Sequence, residues 1–529
     1  MRKLLFIRIC LFCLLITGSC AGQRPASATA SANPDFLFLE YSIAQLQQGY
    51  TSGDYSIRDV VQAFLGRIAA VDDAGPTLNA VIQVNPDALQ IADELDAELK
   101  AGKRRGPLHG VPVLLKDNID THDRMETTAG SRALKGSRPL QDSRVAQKLR
   151  EAGAVILGKT NLSEWANFRS GMSSSGWSGV GGQTKNPYVL DRNPCGSSSG
   201  SGAAVSANLC IIAIGTETNG SIICPANANG IVGIKPTVGL ISRAGIVPIS
   251  HTQDTPGPMA RTVADAAVCL GALVGEDADD LQTKRSAGNT FSDYTQFLKM
   301  DGLKGKRIGL FTQPLGRHRK VDSLFALAVT MLKNQGAEVI ELESISESNL
   351  GAASFEVLLY EFKDGLNRYL TRLGPTAPVK SLEDLIAFNK TDSIECMFDQ
   401  ELLIKAQAKG DLDTPEYLEA LEKMLTASQK EGLDRVMAES RLDAIAAPSG
   451  APAWKTDWVN GDHFILGSSS PAARAGYPNI SVPMGFVDGL PVGLSFFGRA
   501  WSEPVLLEIA FAYEQATRHR KPPLFWDKL

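Results

Sequence analysis

Residues 195–222 read Cys-Gly-Ser-Ser-Ser-Gly-Ser-Gly-Ala-Ala-Val-Ser-Ala-Asn-Leu-Cys-Ile-Ile-Ala-Ile-Gly-Thr-Glu-Thr-Asn-Gly-Ser-Ile. Two loops dense in glycine and hydroxyl residues, 196–202 and 215–221, flank the apolar run Ile211-Ile212-Ala213-Ile214. The surrounding 170–259 is rich in Gly, Ser and Pro yet keeps such apolar runs. Loops this dense inside a core-forming region usually serve a site.

Outward from this stretch, short apolar runs alternate with amphipathic ones. Ser56-Ile57-Arg58-Asp59 is a capping-box-like start, with Ile57, Val60, Val61, Phe64, Leu65 and Ile68 on one helical face. Residues 86–100 repeat the amphipathic pattern. Val111-Pro112-Val113-Leu114-Leu115 predicts a strand that ends at Lys116, and 149–157 predicts a helix passing into the strand Ala154–Leu157. Residues 307–311, 321–335 and 338–342 read as strand, helix, strand. Segment 350–440 is charged and helical, with Thr414-Pro415-Glu416 as a helix start, and reads as a variable cover over the substrate. Apolar runs return at 480–483 and 492–497 before a final helix at 503–518. Strands alternating with helices predict an α/β fold, and with no strong linker in 35–529 the reading is one large domain.

The chain has 529 residues, 43% of them hydrophobic, with 53 basic and 58 acidic residues and a net charge of −5. This balance argues against a basic nucleic-acid scaffold, so no nucleic-acid partner is expected, and the apolar content argues against a disordered chain. Residues 1–19 carry Arg2, Lys3 and Arg8 before the apolar run 9–16 and the small pair Gly18-Ser19, the layout of a secretory signal. The pair runs into Cys20, so the segment resembles a bacterial lipoprotein signal. The expectation is an exported bacterial protein, periplasmic or membrane-anchored through a lipid on Cys20, with residues 20–34 as a flexible tether. Cleavage by ordinary signal peptidase near Ala21 is the alternative. Loss of residues 1–19 would leave a charge of about −8. Cys195, Cys210, Cys224, Cys269 and Cys396 then remain, with no CxxC spacing, and read mainly as buried thiols; a disulfide is neither excluded nor deducible.

Two pattern matches compete for the chemistry. Gly153-Ala-Val-Ile-Leu-Gly158-Lys159-Thr160 fits a phosphate-binding loop, but its four variable residues are an apolar strand whose amides a sheet should occupy. Gly196-Ser197-Ser198-Ser199-Gly200 fits a nucleophile elbow centred on Ser198, but Pro187–Pro194 is a poor buried strand to precede it. Of His251, His318, His463 and His519, none lies in a recognisable local context for a triad. A third arrangement fits better. A serine nucleophile needs a proton acceptor, and a lysine serves if burial keeps it neutral. Lys116, at the end of an apolar strand, and the two serine loops form that set, with the turn before Ser221 able to present amides to an oxyanion.

The ordered motifs make the chain resemble the amidase signature family. They are Gly110-Val111-Pro112 with Lys116-Asp117, Gly158 to Trp165, Asn186-Pro187-Tyr188 with Arg192-Asn193-Pro194, Gly196 to Gly202, Gly215 to Pro225, Gly230 to Thr237, Asp254 to Val263, and Ala475 to Pro478 with Gly489 to Gly493. Together they run through about residues 36 to 520. The resemblance implies a central mixed β-sheet flanked by helices. It also implies a Ser–cis-Ser–Lys triad with Ser221 as nucleophile, Ser197 after a cis peptide as bridge and Lys116 as base. The amides of Thr218, Asn219, Gly220 and Ser221 would form the oxyanion hole, with no metal or cofactor. The implied substrate is a small or peptide-like carboxamide. Many relatives place two glycines before the nucleophile where this chain has Asn219-Gly220. The turn is expected to survive because Asn tolerates left-handed backbone, and the Asn219 side chain could enter the substrate pocket. Many members, including the transamidation enzymes that work on charged tRNA, carry Arg where this chain has Ile223. The Glu-Thr-Asn-Gly-Ser-Ile form is most similar to bacterial peptide amidases, which remove C-terminal amides. Two other readings stand beside amide hydrolysis: an esterase using the same triad or Ser198 with a histidine, and a non-catalytic amide-binding lipoprotein.

Overall fold

The apolar runs become strands of one sheet in the computed structural model, which describes residues 36–342, 344–346, 350–375 and 377–529. The expected signal 1–19, Cys20 and the tether 20–34 lie outside the described residues. In chain order the strands are β1 Val81–Val84, β2 Pro112–Lys116, β3 Val155–Thr160, β4 Trp177–Ser178, β5 Gly182–Gln183, β6 Ile212–Glu217, β7 Val232–Lys235, β8 Thr255–Ala260, β9 Arg307–Phe311, β10 Glu338–Leu342, β11 Ala444–Pro448, β12 Asn479–Val487 and β13 Leu490–Phe497. β4 and β5 pair only with each other. The other eleven form a single sheet in the order β1-β3-β2-β6-β8-β7-β12-β13-β11-β9-β10. Pairing is parallel for β3-β2-β6 and for β11-β9-β10, and antiparallel between and outside these groups. The fold is thus α/β with a mixed sheet.

Local chemistry explains the elements. The capping box at Ser56 forms as read: Ser56 accepts from the Asp59 amide and Asp59 accepts from the Ser56 amide, starting the helix Ile57–Ile68. β12 and β13 are joined by Asp488-Gly489, both at positive φ (49° and 85°), as a two-residue hairpin turn demands. β3 runs straight through Gly158-Lys159-Thr160, where Lys159 stands opposite Leu115 of β2 and Gln83 of β1. The phosphate-loop match is therefore a strand with its backbone engaged in the sheet. β2, β6, β7 and β8 are buried along their whole length, as strands covered on both faces must be.

Segment 350–440 forms the helices Leu350–Arg372, Leu382–Asn389, Glu401–Gln407 and Pro415–Ser428 with shorter pieces. Its own apolar cluster includes Leu359, Phe362, Leu366 and Leu370 packed with Trp165 and Phe168. Leu359 and Phe362 are therefore packing residues, and Tyr360 packs against Tyr417. An ionic clasp also fastens the segment: buried Arg169 pairs with both Glu164 and Glu395, and Glu395 belongs to the segment. Among the described residues no helix is long and apolar enough to cross a membrane.

Candidate active site

The site forms where the parallel strands β2 and β6 end side by side. Leu115 stands opposite Ile214, and Lys116, the last residue of β2, stands opposite Thr160 of β3, which sets Lys116 beside the end of β6 and the turn that follows it. Lys116 is fully buried. Its Nζ lies 2.8 Å from Ser197 Oγ, 2.9 Å from Thr216 Oγ1 and 3.2 Å from Thr216 O. Burial pulls its pKa down to about 7, against the opposing fields of Asp254 and Glu217. No carboxylate forms an ion pair with it among the described residues, so the amine is poised to accept a proton at neutral pH.

The peptide bond Gly196–Ser197 is cis, which turns the chain immediately before Ser197. The Ser197 carbonyl accepts from the Ser163 amide at 3.0 Å, anchoring this loop to the 161–164 segment. One residue on, the Ser198 amide donates to the Ser221 carbonyl at 3.1 Å, so the two serine loops are tied backbone to backbone. Ser198 itself is fully buried; its Oγ donates to Thr216 O and accepts from the Thr216 amide. That bracing occupies the hydroxyl and removes Ser198 as an exposed elbow nucleophile. None of the four histidines considered above bonds to it among the described residues. The helix Ser199–Ser206 follows, and its small residues are required: a Cβ on Gly200 would come within 2.2 Å of Ala80 O.

Ser221 follows the turn Thr218-Asn219-Gly220. Here the structure corrects the sequence reading. Gly220 takes the positive φ, 86°, and Asn219 does not, so the turn never tests the left-handed tolerance of Asn. Asn219 is exposed, and its carboxamide accepts from Ser469 Oγ at 2.8 Å and donates to Ser470 Oγ at 3.2 Å. The N–H groups of Asn219, Gly220 and Ser221 have no acceptor among the described residues, which leaves them available to an oxyanion. Behind them Glu217 accepts from the Ile222 and Ile223 amides at 2.8 and 3.0 Å, and the Ile223 side chain is fully buried.

A second correction concerns the cysteines. Cys195 and Cys224 form a disulfide, joining the residue before the cis Gly196–Ser197 bond to the third residue after Ser221. The sequence reading of buried thiols holds for Cys210 and Cys269, whereas Cys396 is exposed. Nothing in a 29-residue spacing reveals the pair; only the return of β6 beside the 195–202 loop does. Thr216 and Asn118 were also not singled out as site residues. Asn118 Nδ2 donates to Thr216 Oγ1, the hydroxyl that also holds Lys116, and no sequence pattern marks either role. A cavity of about 1030 Å³ opens beside this arrangement, its walls including Asn118, Thr216, Thr218, Asp254, Glu361 and Tyr369. Among the described residues no group of three or more His, Cys, Asp or Glu is arranged to hold a metal ion.

The Amidase family model matches residues 59–507. The native peptide amidase from Stenotrophomonas maltophilia superposes with a TM-score of 0.89 at 52% identity, covering 92% of this chain and 99% of that one. A probable amidase from Arabidopsis thaliana is 43% identical over 527 residues, 97% of this chain and 96% of the relative. A putative amidase from Schizosaccharomyces pombe is 37% identical over 530 residues, 92% of this chain and 87% of the relative. The chain belongs to the amidase signature family of amide hydrolases.

Proposed function

We propose that the protein cleaves the terminal carboxamide of a peptide-like substrate through Ser221, Ser197 and Lys116. The observation that carries this reading is the fully buried, carboxylate-free Lys116 amine 2.8 Å from Ser197 Oγ. Ser221 Oγ attacks the amide carbonyl carbon while its proton passes to Ser197, whose own proton moves to neutral Lys116. The oxyanion is received by the amides of Thr218, Asn219, Gly220 and Ser221, donors of the kind worth about 10²- to 10³-fold each in rate. Lys116 returns the proton through Ser197 to the leaving nitrogen, the C–N bond breaks and ammonia departs. Water then attacks the Ser221 ester by the same relay, releasing the acid and restoring the serine.

The peptide-amide substrate is supported by the likeness to a peptide amidase over nearly the whole of both chains. The Ile223 side chain supports the same preference over tRNA-linked substrates, since it places no charge beside the nucleophile. Export, with or without a lipid on Cys20, is supported by the Cys195–Cys224 disulfide, because such bonds persist in oxidising compartments. The test is hydrolysis of C-terminally amidated peptides, simple amides and matching esters by wild type, Ser221→Ala, Ser198→Ala and Lys116→Ala. Amidated peptides should turn over faster than simple amides, and wild-type kcat/KM should rise with pH through about 7, where Lys116 loses its proton. Unchanged turnover in Ser221→Ala, or a pH limb that persists in Lys116→Ala, refutes the triad; ester turnover with no turnover of any amide replaces the substrate class.

A further inference from the structure

One carboxylate outside the Ser–Ser–Lys line reaches both halves of the site. Asp254 immediately precedes β8 and lines the large cavity. Its Oδ1 accepts from Thr218 Oγ1, and its Oδ2 accepts from the Ile249 and Ser250 amides at 2.8 Å each. Thr218 is where β6 passes into the oxyanion turn, two residues beyond Thr216, whose carbonyl and hydroxyl hold Lys116 Nζ. The loop that carries Asp254 is fastened from the covering segment: Glu361 accepts from Ser250 Oγ, from Thr252 Oγ1 at 3.0 Å and from Tyr417 OH at 2.8 Å. Asp254 thus ties the oxyanion turn to the 249–254 loop, which Glu361 holds from the covering segment.

We propose that Asp254 is a positioning residue for amide cleavage: its carboxylate fixes Thr218, and with it the oxyanion amides two residues beyond the Thr216 that holds Lys116. The proposal rests on Lys116 and Ser221 acting as base and nucleophile. The charge on Asp254 adds an electrostatic half to this positioning role, through what faces Lys116. Burial disfavours its ammonium, and the carboxylates whose fields oppose burial are Asp254, the stronger, and Glu217. Glu217 is engaged by the Ile222 and Ile223 amides. Among the described residues the cation facing Asp254 is Arg243, which pairs directly with Asp280 and has no hydrogen bond to Asp254. Asp254 itself is pushed above the ordinary carboxylate range by burial, countered by the Thr218, Ser250 and Ile249 hydrogen bonds and by Arg243. Neutralising Asp254 therefore leaves burial less opposed at Lys116, and the lysine should lose its proton at lower pH.

The test is kcat and KM for a C-terminally amidated peptide from pH 5 to 9, using the full chain as wild type, Asp254→Asn, Asp254→Ser, Thr218→Val, Thr218→Ser and Lys116→Ala. Asp254→Asn should move the acid limb of kcat/KM down by about half a pH unit or more. Its plateau kcat should fall about 10-fold with KM nearly unchanged, as misplacement of oxyanion donors predicts. Thr218→Val should lower kcat similarly while leaving the limb in place, since the charge remains. Thr218→Ser, which keeps the hydroxyl, should recover most of that loss. An unmoved limb in Asp254→Asn overturns the electrostatic half, and wild-type kcat in Thr218→Val overturns the positioning half. If Asp254→Asn does not fold by circular dichroism, Asp254→Ser carries the same limb test. A wild-type limb in Lys116→Ala would instead refute the underlying triad, so the two failures are distinguishable.

Discussion

Two lysines at the ends of neighbouring parallel strands share their burial and differ in their partners. Lys116 ends β2 and Lys159 lies in β3, one residue from its end; both are fully buried. Among the described residues Lys116 Nζ bonds to a serine hydroxyl, a threonine hydroxyl and a carbonyl. Lys159 donates to Ile119 O at 2.7 Å and Thr127 Oγ1 at 2.8 Å, and lies 3.9 Å from Asp117 Oδ1. Burial lowers the pKa of both, but Lys159 stands in the fields of Asp117, Asp120, Asp123 and Asp142. Asp117 in turn is raised to about 6 by burial, with Lys159 the largest opposing influence. Lys159 has a carboxylate at 3.9 Å, whereas no carboxylate pairs with Lys116 among the described residues. Lys235, a third fully buried lysine, donates to the Pro236 and Tyr477 carbonyls and likewise has no ion pair among the described residues, so what sets Lys116 apart is the Ser197 hydroxyl at 2.8 Å.

Experiment can overturn that contrast. The largest effect should come from Lys116→Met or Ser221→Ala, each lowering kcat/KM by at least about 10³-fold on an amidated peptide. If Lys159→Met lost as much activity without losing stability, the distinction between the two lysines would fail. Lys159→Met should instead cost about 3–5 kcal/mol of stability, because Asp117 is left buried without its cation; denaturant unfolding measures this. Replacing Cys195 and Cys224 together by serine should cost about 3 kcal/mol by the same assay, as expected for opening a loop of this size, and should lower kcat. The smallest effect separates the two lysines most finely: Lys116→Met should equal wild type or exceed it by about 1 kcal/mol. The sign follows from linkage. The folded pKa of about 7 lies below the ordinary lysine value, so the unfolded state holds more protons between about pH 7 and 10. Wild-type stability should therefore rise with pH across that window, and the slope should be smaller in Lys116→Met by the share that Lys116 contributes.

Much of this was legible before any coordinates. Strands Arg307–Phe311 and Glu338–Leu342 fall where their apolar runs do, and the helix Ile57–Ile68 starts at its capping box. These signals are local, carried by residues within one turn or one strand. Lys116, Ser197 and Ser221 could be named because a strand end and two Gly/Ser loops are also local signals, and because the ordered family motifs ranked them. The role of Asn219 was less legible. Its φ and its bonds to Ser469 and Ser470 depend on a segment some 250 residues away.

The amino-acid order alone was enough for the alternation of strands and helices, the family, and the residue types able to do the chemistry. Four matters waited for the folded chain. They are which buried lysine reaches the Ser197 hydroxyl, which serine of the Gly/Ser loop is braced by Thr216, that Cys195 pairs with Cys224, and that Asp254 reaches Thr218. All four have one cause. Helix and strand propensities act within a few residues, whereas a pKa, a disulfide and a hydrogen-bonded turn depend on groups that the sheet brings together across 18 to 100 residues of chain.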